Sequence, residues 1–272
     1  IAIPLAIGFG FGLASLLLPG WPVWEAALLA AILAPTDAAL GQAVVTNPAV
    51  PERIRHTLAI ESGLNDGLTL PVVLFFASLA VGGTQADGHQ SWLLFAAQQI
   101  GLGTLVGVSV GAAGAFLLSG AAAKRLTDDA FEGIAVLGVV AACYFIAHIL
   151  GGNEFLAAFT GGLAFGAVMR GRCAFVFEFM DSEGQLLVLG TFLLLGATLV
   201  PAALANVDPG SIVLILLSLF VVRPLAVWIS LLGTDAGPLT RLFLGWFGPR
   251  GLATALFALL VLSEYDLLTR GD

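Results

Sequence analysis

The chain has 272 residues, of which 59% are hydrophobic and only 10% charged, and its formal charge is -8 at pH 7. A soluble domain carries about 25% charged residues, so the composition excludes an ordinary soluble globule and points to lipid as the solvent. The acidic balance excludes nucleic-acid binding, which needs a basic face.

Apolar runs long enough to cross a bilayer as helices recur along the chain. They predict about nine transmembrane helices, over residues 1–18, 24–45, 56–81, 92–118, 131–150, 155–169, 183–204, 211–232 and 242–262. The fold class is therefore all-α, a polytopic membrane protein. No linker or charge run marks a boundary, so 1–272 reads as a single transmembrane domain. The short run at 155–169 counts as a span because it keeps the basic residues on one side. Arg53 and Arg55 lie in the second loop, Lys124 and Arg125 in the fourth, Arg170 and Arg172 in the sixth, Arg241 in the eighth. The odd-numbered loops hold Glu25, Asp87, Glu154 and Asp208 and no Lys or Arg. The basic side is the cytoplasm, and the first helix starts inside. Residue 1 already lies in an apolar run with no initiator Met, so a piece of a longer protein is expected.

The second span reads "ALLAAILAPTDAALGQAVV". Pro35 cannot donate a backbone hydrogen bond, and Thr36 and Asp37 follow at once. Broken membrane helices are tolerated where freed carbonyls line a cavity, and such breaks often hold ions. The third span contains "IESGLNDGLTLPVVLFF". Asp66 lies about ten residues in, roughly 15 Å deep. Ser62 and Asp66 share one helix face, as do Glu61 and Asn65. These oxygen donors suit a hard monovalent cation. In the last span, "FLGWFGPRGLATALFALL", Gly248, Pro249 and Gly251 bracket Arg250 and predict a second interrupted helix. A buried arginine needs a carboxylate, and Glu61 is the expected partner.

The remaining features carry weaker signals. Gly103, Gly107 and Gly111 are spaced four apart and read as a close packing face. His148 and Glu154 flank an outer turn and read as structural. Arg223 sits mid-span with no evident partner. Glu178, Asp181 and Glu183 read as a solvated inner rim. Cys143 and Cys173 read as buried thiols, not a disulfide or metal pair.

"APTDAALGQAVV", "IESGLNDG", "EFLAAFTGGLAFG", "FLLLGATLVP" and "GWFGPRG" occur in that order. With these motifs the chain resembles the monovalent cation:proton antiporters, in the electroneutral sodium/proton exchanger branch. The resemblance implies an inverted-repeat antiporter fold with two unwound helices near the midplane, here the "PTD" and "GPRG" spans. It implies that Asp66 alternately takes a cation or a proton, with Asn65 where the electrogenic branch has a second aspartate. It implies that Asp37, Thr36 and Ser62 line the ion site, so that Asp66 and Asp37 hold the transported metal cation, and that Glu61 and Arg250 form a buried ion pair. The first three helices and the last of the family pattern are expected outside this chain. A homodimer is implied for the full-length protein, in the plasma membrane.

The implied function is exchange of Na+, Li+ or K+ for H+ across the lipid bilayer, without a cofactor. A carboxylate away from water resists carrying a bare charge. A bound cation or proton neutralises it, and the two compete for one site. The alternatives are a cation channel, a non-transporting ion sensor and an intramembrane aspartyl protease. The protease shares two aspartates on successive helices, but its Gly-x-Gly-Asp signature is missing.

Overall fold

A computed structural model of the chain describes residues 2–37, 41–80, 92–124, 126–169, 174–205, 207–248 and 250–265. The elements are helical: α1 (Ala2–Leu17), α2 (Val23–Ile32), α3 (Gln42–Val45), α4 (Glu52–Ala80), α5 (Trp92–Ala123), α6 (Asp129–Ile149), α7 (Glu154–Met169), α8 (Ala174–Ala205), α9 (Pro209–Leu217), α10 (Arg223–Ser230), α11 (Pro238–Trp246) and α12 (Leu252–Tyr265). A π-helical turn, Ser218–Val222, joins α9 to α10. Among the described residues, five stretches are helical, long and apolar enough to cross a membrane: Glu52–Ala80, Leu94–Ala123, Phe131–Ile149, Ser182–Pro201 and Pro209–Ser230.

The second and last apolar segments are each divided, into α2 and α3 and into α11 and α12. Several helices outrun their apolar cores. α4 begins at Glu52, and α8 begins at Ala174 where hydropathy suggested a start near residue 183. Hydropathy marks lipid depth, whereas a helix continues into the polar layer as long as its backbone bonds are made. Glu183 lies within α8 and is half-buried. The side chains of Glu178 and Asp181, and Cys173 as a whole, fall outside the described residues. Cys143 is buried and free.

The chain packs as two compact units, one of Ile1–His89 with Phe192–Asp272 and the other of Gln90–Thr191. In the first, α1 lies against α2, α9 and α10, and α4 lies against α2 and α12. Ala14, Leu18, Ala26 and Leu214 form a core where α1 ends and α2 and α9 begin. At the opposite end Arg53 pairs with Asp235 at 2.7 Å. This bridge joins the start of α4 to the loop before α11, two segments assigned to one membrane side by their basic residues. Asp208 starts α9 by accepting the Ser211 N–H, with proline at the first helical position.

In the second unit, α5 and α7 approach closely along the glycine face. A Cβ on Gly103 would meet the Asn153 carbonyl at 2.6 Å, and Cβ atoms on Gly107 and Gly111 would strike the backbone of Ala157 and Gly161. Such proximity is how small residues join membrane helices. Asn153 is fully buried and caps α7 by accepting the Leu156 N–H at 2.9 Å. His148 meets Glu154 at 2.7 Å across the turn between α6 and α7.

Candidate ion-binding site

The site lies within the first unit, where both divided segments come together. α2 closes its last turn with Leu33 N–H on the Leu29 carbonyl and Ala34 N–H on the Ala31 carbonyl. Beyond it Pro35, Thr36 and Asp37 are not helical. The break therefore begins at the partly negative end of a helix, a favourable place for a cation.

One face of α4 holds this irregular strand. The Ser62 hydroxyl donates to the Thr36 carbonyl at 2.9 Å, and the Asn65 amide donates to the Thr36 hydroxyl at 2.9 Å. All three residues are buried. Their bonds meet the general requirement that non-helical backbone at membrane depth be satisfied by protein.

The two aspartates differ in their surroundings. Asp37 Oδ2 accepts the N–H of Leu252, the first residue of α12, at 2.8 Å. That N–H is one of the donors a helix start leaves unmade, so Asp37 ties the break after α2 to the break before α12. Gly251 permits this, because a Cβ there would collide with the Asp37 carboxylate. Asp66 lies on α4 within Coulombic reach of Asp37. Its Oδ1 is buried and makes no hydrogen bond.

The ion pair differs from the sequence expectation. Glu61 Oε1 pairs with Arg223 Nη2 at 3.3 Å, with Arg223 almost wholly buried and Glu61 21% exposed in its side chain. The Glu61–Arg250 pair is not made. The π turn supplies the physical reason. Arg223 N–H bonds back to the Ser218 carbonyl, five residues earlier, and the wider turn presents Arg223 to α4. The same Ser218 carbonyl accepts from Arg250 Nη2 at 3.1 Å, while Arg250 Nε and Nη1 have no partner. Gly248 makes room for the pair, since a Cβ there would collide with the Arg223 guanidinium.

A cavity of about 10 Å³, with Thr36, Asp37, Glu61, Ser62 and Arg223 in its wall, has room for roughly one water. An open groove of about 360 Å³, lined by Thr57, Ser230 and Leu244 among others, reaches Glu61 and Asn65. Sequence reasoning left Arg223 unassigned and passed over two further residues. Thr69 and Thr254 each hold a buried hydroxyl without a partner. Thr69 was legible in principle, as a polar residue three positions beyond Asp66 in an apolar run.

Comparison with known proteins agrees with this architecture. A family model described as sodium/hydrogen exchanger, transmembrane, matches residues 1–269. The chain is similar to the K(+)/H(+) antiporter NhaP2 of Shewanella oneidensis, with 32% identity over 85% of this chain and 40% of the relative. It is similar to the K(+)/H(+) antiporter NhaP of Alkalimonas amylolytica, with 27% identity over 91% of this chain and 42% of the relative. The chain thus spans about 40% of the length of the curated relatives it matches. Among solved structures it shares its fold with the sodium proton antiporter MjNhaP1 from Methanocaldococcus jannaschii, with a TM-score of 0.73 and 22% identity over 99% of this chain and 67% of the other. A family match along nearly the whole chain, with this fold and its two interrupted helices, shows that the chain is a multi-pass membrane protein belonging to the sodium/hydrogen exchanger transmembrane family.

Proposed function

We propose that this chain is the ion-binding part of a secondary antiporter that exchanges one monovalent cation, Na+ or K+ with Li+ as an analogue, for one H+ at Asp66. The observation that carries this reading is the buried Asp66 oxygen without a protein partner, in the unit where Asp37 stands at a helix break. The names of the Shewanella and Alkalimonas relatives favour K+, and the name of the archaeal structure favours Na+. The full-length protein acts in the plasma membrane as a homodimer, without a cofactor, and its two compact units serve one transmembrane domain.

Formal charge supports electroneutral exchange. The core of the first unit holds three carboxylates, Glu61, Asp37 and Asp66, and two guanidiniums, Arg223 and Arg250. Together they carry one net negative charge, which one alkali cation or one proton cancels. A neutral, loaded core crosses the hydrophobic barrier more easily than an empty, charged one, and that difference couples the two fluxes.

The test is proton flux in vesicles holding the full-length protein, with Na+, Li+ and K+ supplied in turn. Below the pKa of the shared site, each unit fall in pH raises the apparent cation KM about tenfold while the maximal rate changes far less. A KM constant over two pH units on the acid side would refute the shared site. Cation uptake driven by membrane potential alone, and dependent on Asp66, would refute electroneutrality. Near-normal exchange by intact Asp66→Asn would exclude Asp66 as the carrier.

A further inference from the structure

Thr69 lies three residues beyond Asp66 and four beyond Asn65 on α4, so it shares their side of the helix. It is fully buried, and its hydroxyl has no hydrogen-bond partner. A helical threonine ordinarily returns its hydroxyl to a carbonyl one turn back. Thr57 does so on Arg53 at 2.7 Å, and Thr160, Thr191 and Thr198 do so on Leu156, Leu187 and Leu194 at 2.8 Å. Thr69 departs from this habit at a depth where an unpartnered hydroxyl is costly. One turn away, Asp66 Oδ1 is also buried without a partner. Ser62 and Asn65, on the same side, donate instead to Thr36.

We propose that the Thr69 hydroxyl is a direct oxygen ligand of the transported alkali cation and helps set the choice among Li+, Na+ and K+. The inference rests on the reading of Asp66 as the carrier. The hydroxyl oxygen takes the place of one water in the cation's hydration shell while Asp66 supplies the charge. A proton on Asp66 needs no such ligand, so Thr69 acts on the cation limb of the cycle and leaves the proton limb unchanged. The residue is a specificity determinant, and its removal separates KM from the maximal rate.

The experiment uses the full-length protein in proteoliposomes, wild type beside Thr69→Val, Thr69→Ser and Asp66→Asn, with initial proton flux measured against Na+, Li+ and K+. Valine keeps the shape and deletes the hydroxyl. It is expected to raise the KM of the preferred cation about tenfold, the loss of one hydrogen-bond-strength contact to a charge, with the maximal rate within about twofold. Serine is expected to hold KM within about threefold of wild type. Without alkali cations, Thr69→Val is expected to melt no lower than wild type, and the rise in Tm on adding the cation is expected to shrink. Unchanged KM values for all three cations in Thr69→Val, with Asp66→Asn inactive, overturn the role of Thr69 and leave Asp66 standing. A valine variant that melts lower or fails to fold also overturns it, because the hydroxyl would then be structural. Wild type without exchange, or Asp66→Asn with normal exchange, removes the underlying reading and the inference together.

Discussion

Deleting either partner of the Glu61–Arg223 pair tests the arrangement that sequence reasoning missed. The charges lie 3.3 Å apart, with Arg223 at 6% side-chain exposure. At an effective dielectric of about 20, that separation gives about 5 kcal/mol of attraction, much of it offset by desolvation of the two groups. Removing one partner leaves the other buried and unpaired, a loss of about 3–5 kcal/mol. Glu61→Gln and Arg223→Met should each lower the apparent Tm of the full-length protein sharply, and the double variant should lose less than the two losses added. The cycle should give a coupling of about 2 kcal/mol or more, larger than that between Glu61→Gln and Arg250→Met. Thermal melts of purified protein in one detergent measure all of these variants. A larger coupling of Glu61 with Arg250 would refute the pairing.

Gly251→Ala should abolish exchange while the protein still folds, because the new methyl displaces the Asp37 carboxylate from the Leu252 N–H; normal flux in vesicles would show that this contact is dispensable. Gly248→Ala should lower Tm about as far as loss of the ion pair, since its methyl occupies the place of the Arg223 guanidinium. Gly111→Leu should destabilise the unit containing α5 and α7 by roughly 1–3 kcal/mol through overpacking, whereas Gly120→Leu, which meets nothing nearby, should not; melts of the two variants compare them directly. Hydrogen bonds from Ser211 hold the Asp208 carboxyl below the usual carboxylate range. The stability it adds is therefore full above about pH 4 and lost as pH falls through the lower folded value. The Tm gap between wild type and Asp208→Ala should be constant from pH 7 to pH 5 and close in stronger acid.

What the sequence made legible was governed by local chemistry. Pro35 and the glycines around Arg250 announced the two breaks, because a missing N–H and missing side chains act where they stand. The polar stripe of α4 was legible from spacing alone. The partner of Glu61 was not, because it depends on one wide turn at Ser218–Val222, whose "SLFVV" is as apolar as any ordinary helical stretch. Hydropathy gave Arg223 a depth without a direction. The bonds from Ser62 and Asn65 to Thr36 join segments more than 25 residues apart, so the sequence could nominate all three residues for the site without pairing them. Helix ends were misplaced wherever charged residues continue a helix past the lipid, as at the start of α8.

The break between α11 and α12 explains why the site and the ion pair cannot vary independently. Gly248 makes room for the Arg223 guanidinium, Gly251 for the Asp37 carboxylate, and Arg250 between them bonds the Ser218 carbonyl, which also accepts the Arg223 N–H of the π turn. A shift of this short strand is therefore felt at both places. Asp37 is bound to the start of α12 through Leu252, and Thr36 to α4 through Ser62 and Asn65. On the proposed reading, a cation drawn to Asp66 and Asp37 pulls on two helix ends that no continuous backbone joins. An uninterrupted helix would satisfy its own backbone and present only side chains to the ion. The interrupted pair gives up several backbone bonds at each break, and on the proposed reading the occupancy of the carboxylates reaches α2, α4 and α12 through the bonds of Thr36 and Asp37.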